Sequence, residues 1–195
     1  MGKLVGIGVL VVIVFLVITG VSGYNGLVNK SEGVNQAWSQ VENVYQRRSE
    51  LIPNLVETVK GAANFEQETL TKVIEARASA SQVKITPEML NDPQALQKFE
   101  QVQGQLSSAL SRLLVTVEQY PELKANANYM ALQDELAGTE NRIAVERRRF
   151  TEVVQEYNVA VKRFPMNMLA GMFGFGPKAY FEAKEGAEEA PKVKF

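Results

Sequence analysis

The sequence predicts an all-α protein: an antiparallel up-down helical bundle preceded by an N-terminal transmembrane helix. Three observations predict it. A charge-free run, Leu4 to Gly23, opens the chain. Apolar residues then recur at alternating steps of three and four along each later segment. Helix-stop and helix-start signals at Lys60-Gly61, Asn91-Asp92-Pro93, Tyr120-Pro121 and Phe164-Pro165 divide those segments.

Residues 1–23 read as a membrane anchor. At helical rise, twenty residues span about 30 Å, the hydrocarbon thickness of a bilayer. The β-branched residues of LVGIGVLVVIVFLVITGVSG suit a lipid-facing helix that satisfies its own backbone. The alternative is a cleaved signal peptide ending near Val21-Ser22-Gly23, but the apolar run exceeds a signal core and no Ala-x-Ala site follows. Lys3 precedes the run, and Lys30 is set against Glu32 and Glu42 behind it. The positive-inside tendency therefore puts the N-terminus in the cytoplasm, with the protein single-pass and its bundle on the non-cytoplasmic side.

Residues 24–165 read as the bundle. The first stripe is Leu27, Val34, Trp38, Val41, Tyr45, Ile52, Leu55 and Val59, a coiled-coil-like seam that skips polar Ser31 and Arg48. It passes through Pro53, so the proline bends the helix without ending it, freeing the Ser49 carbonyl. Asn54 follows the proline and is placed to bond the freed backbone groups. The break falls at Gly61 and the turn to Asn64. A second helix covers about Phe65 to Ala80, with Leu70, Val73, Ile74 and Arg77 on one face. Ser79 to Asn91 reads as a loop. Asp92 caps the third helix and Pro93 opens it. That helix buries Leu96, Phe99, Val102 or Gln103, Leu106, Leu110, Leu113 and Val117. The last helix starts between Leu123 and Asn128, with the stripe Leu132, Leu136, Thr139, Ile143, Phe150, Val153, Tyr157, Val161 and Phe164. A break at Gly61 lets a long first helix and a long last helix pair antiparallel beside two shorter ones. Four helices are thus preferred, with three long helices as the alternative.

Residues 166–183 contain MNMLAGMFGFG, an apolar segment that either caps the open end of the bundle or enters the bilayer interface. Residues 184–195 have the composition of a disordered tail.

Composition narrows the chemistry. The 195 residues carry a net charge of −1 and contain neither Cys nor His. Thiol catalysis, disulfides, His-containing triads and the usual metal ligands are excluded, and no global charge favours nucleic acid. No phosphate loop, dinucleotide loop or nucleophile elbow occurs. The pairs Glu66/Glu68, Glu135/Glu140 and Glu152/Glu156 read as solvated surface. No cofactor, metal or catalytic residue is expected.

The polar residues of interest are few. Arg47 and Arg48 lie on or beside the first seam, and Arg142, Arg147, Arg148 and Arg149 on the last helix. With antiparallel helices they share a level with Glu50, Glu140 and Glu146. Two readings stand: intrabundle ion pairs on a solvated face, the preferred one, or a site for an anionic ligand or lipid headgroup. Asn141 and Asn158 are poor helix formers that can fix bundle register, and Tyr157 joins Asn158 on the seam.

The blocks YNGLVNK (24–30), RRSELIPNLVETVKGAANFE (47–66), EARA (75–78), YPELKANANYMALQDELAGTENRIAVERRRF (120–150) and VQEYNVAVKRFP (154–165) resemble the LemA family of bacterial membrane proteins. The likeness runs from the anchor to about Phe181. It implies an N-terminal anchor and an α-helical bundle, with no settled biochemical activity. Neighbourhood with a membrane zinc metallopeptidase in some relatives implies a link to envelope stress or protein quality control. Family members often carry a His near position 65, where this chain has Phe65, and Tyr-Asn where it has Phe150-Thr151. The expected function is that of a self-assembling scaffold or adaptor acting by protein–protein contact. Its expected partners are the bilayer through residues 4–23, further copies of itself, and a membrane protease or other envelope protein. A sensor using the arginine clusters is the alternative.

Overall fold

The computed structural model describes residues 2–62 and 65–181. The tail read as disordered, 184–195, lies outside the described residues. Among the described residues six helices follow in order: α1 (Gly2–Lys60), α2 (Gln67–Gln82), α3 (Pro93–Val117), α4 (Pro121–Lys124), α5 (Ala127–Lys162) and α6 (Met166–Phe173). A 3-10 turn over Pro87–Asn91 precedes α3. Among the described residues there is no strand.

α1 is one helix of 59 residues, about 90 Å long at the standard rise. Its first third is long and apolar enough to cross a membrane, and none of that stretch is buried within the protein. Among the described residues α1 is the one helix of that length and composition. The anchor and the bundle share this helix, so the expected division at residue 23 leaves no break in the backbone.

α1 pairs with α5, and α2 with α3. The antiparallel register is read directly from side chains. The Trp38 ring meets the Phe150 ring at 5.3 Å, and Arg48 meets Glu140 at 2.6 Å. Ten residues outward on α1 correspond to ten residues back on α5. All eight members of the expected α1 stripe are buried, as are all those of α3. Two apolar clusters result. One, around Trp38, Phe99 and Phe150, lies towards the anchor. The other, around Ile52, Leu70, Leu110 and Leu136, fills the far end.

Several expectations need correction. Arg48 is not a skipped position; it is 1 % exposed. Gln103, not Val102, takes the α3 core position. On α5 the seam steps by four from Phe150 to Val154, leaving Val153 half-buried, since either step fits one helix face. Phe164 is exposed because α5 stops at Lys162. Ile74 is exposed because α2 buries Leu70, Val73 and Ala80 instead. The expected loop at 79–91 is shorter, since α2 continues to Gln82 and Pro87–Asn91 is helical. The start of α3 follows its signal: Asp92 accepts from the Gln94 amide at 2.9 Å and Pro93 occupies the first turn. Asn126 caps α5 in the same way.

Pro53 sits inside α1 without ending it. Lacking an N–H, it leaves the Ser49 carbonyl without its usual partner. Asn54, expected to bond the freed groups, is exposed. The repair comes from α2, where Arg77 Nε donates to the Ser49 oxygen at 2.9 Å. The proline thus makes a docking point for a neighbouring helix, and Gly61 lies at the turn that brings that helix back. Arg77→Ala is expected to cost about 1–2 kcal/mol by stranding this carbonyl. In a Pro53→Ala background, which restores the amide, the same change should cost distinctly less. Denaturant titrations of the four proteins check this; equal costs in both backgrounds would refute the repair.

Candidate functional site

Two polar constructions occupy the bundle: an arginine layer between the apolar clusters and a strap folded back from α6. Both are built from seam positions of α1 and α5.

Arg48 centres the layer. One of its terminal nitrogens donates to Glu140 Oε1 at 2.6 Å and to Ser107 Oγ at 2.8 Å. The other donates to Gln103 Oε1. The guanidinium carbon lies 5.0 Å from the centre of the Tyr45 ring. The layer therefore draws on α1, α3 and α5 together. Removing a guanidinium from water costs several kcal/mol, which a carboxylate and two further acceptors offset. The Glu140 side chain is 40 % exposed and keeps part of its hydration. Arg48 Nε is buried without a partner. Burial pushes the Tyr45 phenol above its ordinary pKa, against the opposing pull of Arg147 and Arg48, so its hydroxyl stays protonated at neutral pH.

Three other arginines face carboxylates, whereas Arg142 and Arg149 are exposed on α5. Arg47 bonds Glu135 and Arg147 bonds Glu100. Arg148 is 3.9 Å from Glu152 on an exposed face of α5, a weak pairing. The structure brings Arg47, Arg48 and Arg147 to one part of the bundle, each already facing a carboxylate of the chain. Arg148, Asn141 and Asn54 stay outside it, all exposed. Asn141 therefore does not hold the register.

The strap, 175–181, begins where Gly174 (φ 76°) stops α6 in the left-handed conformation that glycine adopts freely. Asn158 Nδ2 donates to the Lys178 carbonyl at 2.8 Å, and the Lys178 amide donates to Asn158 Oδ1 at 2.8 Å. A carboxamide matches the backbone N–H and C=O of one residue in this way because it offers both a donor and an acceptor. Tyr157 Oη donates to the Gly176 carbonyl at 3.0 Å, and the Ala179 amide donates to the Leu90 carbonyl at 2.8 Å. Phe181 enters the core beside Trp38 and Phe150, with the Arg147 guanidinium 4.1 Å above its ring. Burial lowers the Lys178 pKa, with Glu32 and Glu88 opposing. Asn158 and Tyr157 thus fasten the strap. Sequence reading missed Gly176, Lys178 and Phe181, which follow no helical period. It also missed Gln103 and Ser107 as partners of Arg48, although both fall within one turn on α3.

Among the described residues, no group of three or more His, Cys, Asp or Glu side chains could hold a metal ion. Two hollows, about 510 Å³ beside Lys30 and Glu156 and about 380 Å³ between α2 and α3, are open surface grooves.

The layer is asymmetric, and mutation should expose that. Glu140→Ala strands a buried cation and is expected to cost about 3 kcal/mol. Arg48→Met strands only a carboxylate that already reaches water, and should cost clearly less. Guanidinium chloride midpoints compare the two; the reverse order contradicts the layer's energetics. For the strap, Asn158→Ala is expected to cost about 1–3 kcal/mol by unpairing both Lys178 backbone groups. Hydrogen exchange at the Lys178 and Ala179 amides should rise together while the α1 core amides stay protected.

Comparison with known proteins assigns the chain to a family. The LemA family profile matches residues 37–195. Magnetosome protein MamQ of Magnetospirillum gryphiswaldense is 28 % identical over 201 residues, covering 95 % of this chain and 74 % of the relative. Magnetosome protein MamQ 1 of Paramagnetospirillum magneticum is 28 % identical over 198 residues, covering 93 % and 72 %. Protein LemA of Metamycoplasma hominis is 26 % identical over 161 residues, covering 83 % and 69 %. None of these names describes a catalytic activity. With the profile spanning most of its length, the chain belongs to the LemA family.

Proposed function

We propose that the protein is a membrane-anchored helical bundle acting by protein–protein contact, as a self-assembling scaffold or adaptor of the bacterial envelope. The observation that carries this is α1. It continues unbroken from an unburied apolar span into the bundle, so the bundle is held on the bilayer as a rigid body. Confinement to a plane raises effective concentration, and weak lateral contacts then suffice for clusters.

The seams themselves are spent within one chain, so assembly uses the outward faces. Val115, Met130, Val145 and Val159 are exposed there as isolated apolar residues among charges. The small-residue patches around Gly61-Ala62 and Ala125 to Ala127 lie at the turns of the far end, away from the long faces. Relatives named as magnetosome proteins support a role as a component of a larger structure. The reading extends to a bacterial inner membrane, with the bundle on the non-cytoplasmic side as the charges flanking the span favour. Its partners are further copies of the chain, and a membrane protease or other envelope protein.

Mass photometry of the full-length protein in mild detergent tests the proposal. A discrete oligomer whose share grows with concentration is expected. A monomer at every concentration ends it.

A further inference from the structure

The outward side of α6 is poorly suited to water. Phe164, Met168, Met172 and Phe173 are all exposed, Phe164 and Met172 at 76 % each. No charged residue occurs from Phe164 to Pro177. The outer side of α5 differs, carrying Glu135, Arg142, Arg148, Arg149 and Glu152. Nothing in α6 supplies the charges with which a solvated helix face is normally dressed.

The inward side of α6 fixes its height. Ala170 is buried. A Cβ added at Gly23 would lie 2.6 Å from the Met166 Sδ and 3.2 Å from Leu169 Cδ1, so α6 rests directly on α1 there. The Tyr24 ring packs edge-on against Phe173 at 4.9 Å and Phe175 at 5.7 Å. Gly23 ends the twenty-residue stretch that spans about 30 Å of hydrocarbon, and Tyr24 follows it. A tyrosine among phenylalanines at that level is the composition of a membrane–water boundary. Lys162 and Arg163, both exposed, close α5 immediately before α6. They stand at headgroup height, where cations favour anionic lipid.

We infer that α6 is an interfacial helix. Its Met168–Met172–Phe173 side, with Phe164 just ahead of the helix, enters the headgroup–acyl boundary of the bilayer that α1 crosses, giving the bundle a second foothold in lipid. The inference rests on the membrane-anchored reading of α1 proposed above. Two helical turns bind lipid weakly alone; tethering to α1 supplies the proximity. The flexible Met side chains and the Phe rings fill the irregular boundary without a fixed partner surface.

Depth-dependent quenching tests it with the full-length protein in phosphatidylcholine–phosphatidylglycerol vesicles. Bromine is placed near either the headgroup end or the methyl end of the acyl chains. Trp38 is the single native tryptophan. It is buried, about 20 Å along α1 from Gly23, and gives a steady background. Met172→Trp and Phe164→Trp are the reporters, Val12→Trp marks the span, and Val115→Trp marks the far end. Both α6 reporters should emit at shorter wavelength than Val115→Trp, and shallow bromine should quench them roughly twofold or more, deep bromine less. If Val12→Trp is quenched and both α6 reporters behave like Val115→Trp, the interfacial helix is refuted and the anchor stands. If Val12→Trp is also unquenched, the anchor reading falls and the inference with it. A blue shift without bromine quenching means that protein, such as a second copy, covers the face, and likewise overturns the inference.

Discussion

The register between α1 and α5 is the constraint on which the molecule depends. Trp38 opposite Phe150 and Arg48 opposite Glu140 set it. Apolar stripes alone hold helices together but tolerate sliding by a turn, because every third or fourth residue is again apolar. The arginine removes that tolerance. A slip of one turn would set Arg48 against Leu136 or Ile143, stranding a cation among aliphatic groups. Leucine in its place would bind as well in any of these registers.

The same position explains why the core is divided. Tyr45 closes the cluster nearer the anchor, and Leu51 and Ile52 open the far one. Each half has its own way of covering the α1–α5 pair. In the far half, α2 and α3 cover it. Nearer the anchor, Ile85, Leu90 and the start of α3 take part, and the strap supplies Phe181. Asn158 makes the strap possible: it pairs both the N–H and the C=O of Lys178, which would otherwise be buried unpaired.

Periodicity made the long elements legible. The α1 and α3 seams were readable residue by residue because their buried faces are apolar and their exposed faces polar. The caps at Asp92 and the turn at Gly61 were readable because their chemistry is local. What escaped was non-local. Arg48 looked like an interruption of the seam, since sequence does not show whether a skipped position is solvated or paired. Arg77 gave no sign that its target was a backbone oxygen 28 residues earlier. Phe164 continued the α5 spacing, yet the helix ended first. The strap has no period at all, and its partners are backbone groups.

α1 also has a mechanical meaning. Beyond Gly23 it extends a further 37 residues to Lys60, about 55 Å at the standard rise. Membrane helices tilt by about 20° on average and adjust that angle to bilayer thickness. A helix of this length that no break interrupts converts such a tilt into a lateral sweep of about 20 Å at the Gly61 turn. The outermost turns of the protein are thereby geared to the thickness of the lipid beneath them.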